Sequence, residues 1–189
     1  MNQNEFKATL QEFFPTLRVE AIESLLPFCT YTEMTRGTQL FEEGTYHHFS
    51  YLILQGSAKA HYSRQGKQVC IWFAFEKEVV GTLETFQGLP SKESIVLLED
   101  SSLIRLPMKQ IKSLADTDLA FSQSLNELLL EHAIYTEEKL RQLLFLTAKE
   151  RYDTLREKSP NILQRVSLTD IASYLGVSRE TLSRIRAMK

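Results

Sequence analysis

The chain has 189 residues, 43% hydrophobic and 24% charged, with a formal net charge of −2. That length suits one large domain or two small ones with separate cores, and the composition is that of a globular chain. No apolar run approaches the ~20 residues that span a bilayer, and Met1-Asn-Gln-Asn-Glu-Phe-Lys7 lacks the layout of a secretion signal, so a cytoplasmic location is expected.

In chain order, Gln3–Phe13 and Val19–Leu26 read as helices, with Pro15 breaking one from the other. Six of the seven glycines (Gly37, Gly44, Gly56, Gly66, Gly81 and Gly88) then fall between residues 37 and 88, spaced as turns in a small all-β unit. Strand-like stretches run between and just after them: Thr38–Phe41, Phe49–Leu54, Ser57–Ser63, Gln68–Phe75, Ser94–Glu99 and Ser102–Pro107. Cys29 and Cys70 are the only cysteines, too few for a four-cysteine iron–sulfur or zinc site, and they read as small buried apolar residues.

After Pro107 the character changes. Lys109–Leu114 reads as a short helix, and 118–145 contains neither glycine nor proline. Within it Leu129, Ala133, Thr136, Leu140 and Leu143 recur at 4-3-4-3 spacing, flanked by Leu125, Leu128, His132 and Tyr135. Such a seam suits pairing with a second copy in a parallel dimer; the alternative is packing onto the β unit. Ala148–Glu157 is a further helix that ends before Ser159-Pro160. The expected divisions are therefore residues 1–117, 118–146 and 147–189.

The closing stretch from Ser167 to Lys189 reads as a helix-turn-helix. Ala172 leaves room for a close helix crossing, Gly176 permits the tight turn, and Val177, Leu182 and Ile185 supply the inner face. Thr169 or Ser167 would cap the first helix and Ser178 the second. The outer face carries Arg179, Glu180, Ser183 and Arg184. Arginine can pair bidentately with guanine, and glutamate can accept from the cytosine amine. Arg179, Glu180 and Arg184 are thus the expected base readers, on a helix of about 179–188. Ser178, Thr181 and Ser183 are the candidate phosphate contacts. Charge follows the same division: residues 149–189 carry +4 and the remainder −6, an acidic body with a basic end.

The order of elements resembles the Crp/Fnr family of transcription regulators. The resemblance rests on Gly37-Thr-Gln-Leu-Phe-Glu-Glu-Gly44, Tyr51-Leu-Ile-Leu-Gln-Gly56, Gly81 with Phe86, Leu97-Leu-Glu-Asp100 and Val177-Ser-Arg-Glu-Thr-Leu-Ser-Arg184. It implies an α+β chain: a double-stranded β-helix (a cupin-like β-roll or jelly-roll) as cyclic-nucleotide-binding-like sensor, a long dimerisation helix, and a small winged-helix-like helix-turn-helix domain. The wing would be truncated, since the sequence stops at Lys189. It also implies a homodimer on a two-fold double-stranded DNA operator, with RNA polymerase as a further partner the resemblance allows.

The effector pocket, placed by the resemblance at Gly81, Thr82, Leu83, Glu84, Lys92 and Glu93, departs from the family's cyclic-nucleotide pattern. Thr82 stands where a ribose-binding glutamate is expected, Lys92 replaces the phosphate-clamping arginine, and Glu93 replaces the following serine. Lysine cannot reproduce a bidentate fork, and a carboxylate beside a cyclic phosphate repels it. Cyclic AMP is therefore disfavoured, leaving an unknown small molecule or no effector, and no cofactor or metal is expected. A haem sensor would need an axial ligand from His47, His48, His61 or His132, each more simply read as structural or solvated. The sequence holds no catalytic set, so an enzyme is not expected. The rival reading is a ligand-sensing module of the same kind that acts through protein partners rather than DNA.

Overall fold

The computed structural model describes residues 3–187 other than Thr16; the expected reading helix loses Met188 to this boundary. Two helices open the chain, α1 (Gln3–Phe13) and α2 (Val19–Leu25), and a single 3-10 turn over Leu26–Phe28 follows. Eight strands come next: β1 (Thr30–Met34), β2 (Gln39–Phe41), β3 (Phe49–Gln55), β4 (Ala58–Arg64), β5 (Lys67–Ala74), β6 (Val79–Val80), β7 (Ser94–Leu97) and β8 (Ser101–Pro107). A short helix α3 (Leu83–Gln87) interrupts them between β6 and β7. Strands β1 and β6 and helix α3 extend the expected set. β1 (Thr-Tyr-Thr-Glu-Met) is largely polar and exposed at a sheet edge, and β6 is only two residues long, so neither carries an apolar pattern.

The strands form two antiparallel sheets, β1-β8-β3-β6 and β2-β7-β4-β5. Side-chain alternation assigns each sheet two jobs. In β3, Ile53 points between the sheets with Phe41, Ala58, Ala60, Val80, Ile95, Leu97 and Leu103. Its neighbour Leu52 points the other way, joining Ile104 and Leu106 beneath Phe6, Leu10, Ile22 and Leu25 of the N-terminal helices. Helix α4 (Met108–Thr117) closes that outer layer. The mixed α+β architecture and the β-roll are as the sequence implied.

Gly56, which follows β3, shows why that turn takes glycine: its φ is +116°, and a Cβ there would lie 2.0 Å from the Ser101 hydroxyl oxygen. Cys29 and Cys70 are both buried and unpaired, and burial pushes each thiol up to about 12.

Helix α5 (Leu119–Phe145) begins at Asp118, whose carboxylate accepts from the Phe121 amide at 3.1 Å and from Arg18 at 2.6 Å. Of the proposed seam, Leu129 is half-buried and Ala133, Thr136, Leu140 and Leu143 are exposed. The exposed apolar surface extends beyond this seam: Leu130 (60% exposed), Ile134 (58%) and Leu144 (67%) form an uncovered stripe with Leu140 (57%) and Leu143. Helix α6 (Ala148–Lys158) starts from a capping box between Thr147 and Glu150. A short α7 (Ile162–Arg165) follows and leads into the closing helices.

Candidate nucleic-acid interface and sensing pocket

Helices α8 (Leu168–Leu175) and α9 (Arg179–Ala187) form the helix-turn-helix. Ser167, not Thr169, caps α8, accepting from the Asp170 amide at 3.1 Å. Gly176 ends α8 in the left-handed conformation at φ 69°, and the Val177 amide reaches back to the Ala172 carbonyl at 3.0 Å. This is the Schellman arrangement, which turns the chain sharply and satisfies two orphan carbonyls. Ile171, Ala172, Leu175, Leu182 and Ile185 are buried together with Tyr152, Ile162 and Val166.

Packing that face inward leaves the other face of α9 outward. Arg179, Glu180, Ser183 and Arg184 are all exposed. Ser178 caps α9, accepting from the Thr181 amide at 3.1 Å. Its hydroxyl also meets that of Thr181, which in turn accepts from Arg184 Nη2 at 3.3 Å. The Glu180 carboxyl is held below its ordinary range, chiefly by its own backbone N–H, so it is an acceptor at neutral pH. An acceptor flanked by two arginines on one solvent-facing helix is a surface able to read base edges in a major groove.

The second group of sequence-selected residues clusters around α3. Thr82 caps the helix by accepting from the Thr85 amide at 3.1 Å, which occupies it structurally. Gly81 lies against Ser50, where a Cβ would sit 2.5 Å from the hydroxyl oxygen. Leu83 is exposed. Lys92 is engaged by Glu84 at 3.4 Å. Glu93 is buried and accepts from the Trp72 indole at 3.3 Å. Burial pushes its carboxyl up to about 7, against the lowering effect of the Trp72 bond, and Glu84 pushes it further up. The position expected to face a phosphate is therefore a buried acid.

Glu93 gives a pH prediction with a defined sign. The folded chain holds this proton more tightly than the unfolded chain, whose glutamate titrates near 4.3. Stability should fall as pH rises from about 4.5 to about 7 and then level off. Glu93→Gln should flatten that part of the profile and stabilise the protein at pH 8 by about 3 kcal/mol. Urea denaturation at several pH values checks this; an unchanged profile in the variant would remove Glu93 as the source.

A third set of residues was not legible in the sequence. The helix-turn-helix is seated on the outer face of the second sheet, with Phe73, Phe75 and Leu98 joining its core. Lys59 of β4 pairs with Asp170 of α8 at 2.5 Å. The Cys70 amide on edge strand β5 donates to the Ser173 hydroxyl at 2.9 Å, and the Tyr174 ring lies 5.2 Å from Phe73. Arg165 donates to Glu76 at 2.7 Å, to the Gly56 carbonyl at 3.0 Å and to Glu99. These partners lie 66 to 111 residues apart in sequence, so no local pattern announces them. Among the described residues, no group of three or more His, Cys, Asp or Glu side chains is placed to hold a metal ion. No described helix is long and apolar enough to cross a membrane.

Comparison with known proteins agrees with this architecture. Residues 31–118 match the model of the cyclic nucleotide-binding domain family. Among solved structures, FixK2 from Bradyrhizobium japonicum superposes with a TM-score of 0.75 at 20% identity, covering 84% of this chain and 83% of its own. A protein from Eubacterium rectale assigned to the Crp/Fnr family of transcriptional regulators gives 0.74 at 17% identity, with 92% and 85% covered. The catabolite activator protein of Thermus thermophilus gives 0.58 at 21% identity, with 93% and 84% covered. No curated protein matches the sequence. The chain has the fold of the Crp/Fnr regulators, with a cyclic nucleotide-binding-type β-roll between its N-terminal and C-terminal helices.

Proposed function

We propose that the protein is a homodimeric, sequence-specific DNA-binding transcription regulator. The observation that carries this reading is the outer face of α9, where Arg179, Glu180 and Arg184 stand exposed while Leu182 and Ile185 anchor the helix from behind. The uncovered apolar stripe on α5 supports pairing with a second copy, which would present two such helices one helical turn (~34 Å) apart. The β-roll would act as sensor for an effector other than cyclic AMP: the ion pair of Lys92 with Glu84, and the buried acid of Glu93 at a position where the family resemblance expects a phosphate clamp, argue against a cyclic phosphate.

Selection of duplexes from random DNA tests the reading. Arg179→Ala or Glu180→Ala should relax preference at one position per half-site, at a cost of about 1–3 kcal/mol each. Affinity should also fall steeply with salt, as phosphate contacts release counterions. Unchanged base preference in both variants would remove the assignment, and binding insensitive to salt would favour a sensor acting on proteins.

A further inference from the structure

Helix α8 sits on the outer face of the second sheet through both apolar and polar contacts. Two ion-paired anchors bracket it: Arg165 on Glu76 and Glu99, and Lys59 on Asp170. Between them lie Ser173 on the backbone of edge strand β5 and Tyr174 on Phe73. The anchors are half-buried ion pairs set beside the apolar contacts of Phe73, Phe75 and Leu98, a mixed junction of the kind that lets units of one chain move relative to each other.

His61 sits under this junction. It is 4% exposed, and its Nδ1 finds no hydrogen-bond partner among the described residues. It pairs across the strands with Cys70, the residue whose amide holds Ser173. The charged and titratable groups facing it are Lys59 on its own strand, Cys70 on β5, Asp170 on α8 and Glu43 beyond β2.

We propose that the seating of α8 on the β4–β5 face is a latch that restrains the DNA-binding unit, and that protonation of His61 opens it. The consequence for DNA rests on the reading given above. In the closed position Arg165 is spent on two carboxylates of the β-roll, and the reading unit lies against a body of net charge −6. Opening frees a cation and moves those carboxylates away, both of which favour a polyanion.

The sign for acid follows from burial. Desolvation first, then Lys59, disfavour the imidazolium in the closed position, outweighing Asp170 and Glu43. Once open, the ring titrates near the ordinary value of about 6.5. The closed position is therefore fully favoured above that pH and loses ground as pH falls through it.

Cys70 reports the latch directly, because it is buried at the junction. In the full chain carrying Cys29→Ala, its rate of labelling by a thiol reagent is measured relative to the urea-unfolded chain at the same pH. From pH 7.5 to 5.5 this relative rate should rise, by up to about tenfold, and His61→Gln should abolish the rise. At pH 7.5, Arg165→Gln with Asp170→Asn should raise it at least about fivefold. Lys59→Ala should act in the same direction from the other side of the junction. Circular dichroism identifies any variant that has simply unfolded. Labelling unaffected by these substitutions, or an acid response that survives His61→Gln, would overturn the proposal. Duplexes recovered by selection from random DNA should bind the Arg165→Gln, Asp170→Asn chain more tightly than the parent. Weaker binding would make the seated position the productive one and overturn the latch while sparing the DNA reading. Failure to recover any duplex would overturn the DNA reading, and the labelling would still judge the junction.

Discussion

Replacing both Leu140 and Leu144 with glutamate should leave the protein monomeric and abolish tight binding to a two-fold operator. Leu140 is 57% and Leu144 67% exposed, on a helix of 27 residues that spans roughly 40 Å, and Leu130 and Ile134 continue the surface. An uncovered apolar stripe of this length marks an interaction surface. Two copies would remove four of these leucines from water at once, worth roughly 6 kcal/mol or more of association free energy. Glutamates at the same places would set like charges against one another. Sedimentation velocity reads the oligomeric state, and a binding titration reads the loss on DNA. Thermal stability at high protein dilution should change little, because neither side chain supports the chain's own core. A variant that stays dimeric would place the pairing surface elsewhere.

Gly56→Ala should be among the most damaging single-methyl additions to this chain, costing roughly 2–5 kcal/mol. Two terms contribute. The backbone at φ +116° lies where L side chains are strained, worth about 1–2 kcal/mol. The new Cβ would also lie 2.0 Å from the Ser101 hydroxyl, 2.6 Å from its Cβ and 2.9 Å from its Cα, and such overpacking costs about 1–3 kcal/mol. Ser101→Gly should recover only part of the loss, since the backbone contact would remain. Gly66→Ala provides the control: its φ is +74° and its Cβ would meet nothing within 4 Å, so it carries the strain without the collision. Urea denaturation of the variants separates the terms. Equal costs at Gly56 and Gly66 would show that the close approach to Ser101 does not matter. Gly56 also holds the chain at the latch through Glu76 and Arg165, so its variant should speed Cys70 labelling as well.

Much of the fold was legible because its signals are local. Short strand-like stretches between and just after the glycines located β3, β4, β5 and β8, and glycines at left-handed positions marked Gly37, Gly44, Gly66 and Gly176 as turns. Gly81 was a turn signal for another reason: its φ is ordinary, and the missing side chain instead makes room for Ser50. Helix α9 was legible because its inner and outer faces differ in chemistry, with Leu182 and Ile185 at one and Arg179, Glu180 and Arg184 at the other. Strand β1 carried no such contrast, since it is an exposed polar edge held mainly by its partner β8. Helix α5 was legible as a helix, but exposed apolar residues reach beyond the seam read from its spacing, to Leu130, Ile134 and Leu144, because apolar residues occur almost all round it.

By itself the sequence determined the succession of most elements, the cap at Ser178, and which side of α9 faces solvent, since these depend on residues within one or two turns; it left the α8 cap open between Thr169 and Ser167. Only the tertiary structure decided that Lys92 would be claimed by Glu84 and that Glu93 would be buried against Trp72. It alone brought Arg165 to Glu76 and Glu99, and Asp170 to Lys59 over His61. The reason is physical: charge and hydrogen-bond pairing depend on distance in space, and a separation of 111 residues along the chain becomes 2.5 Å only after the sheets have closed and α8 has seated on them.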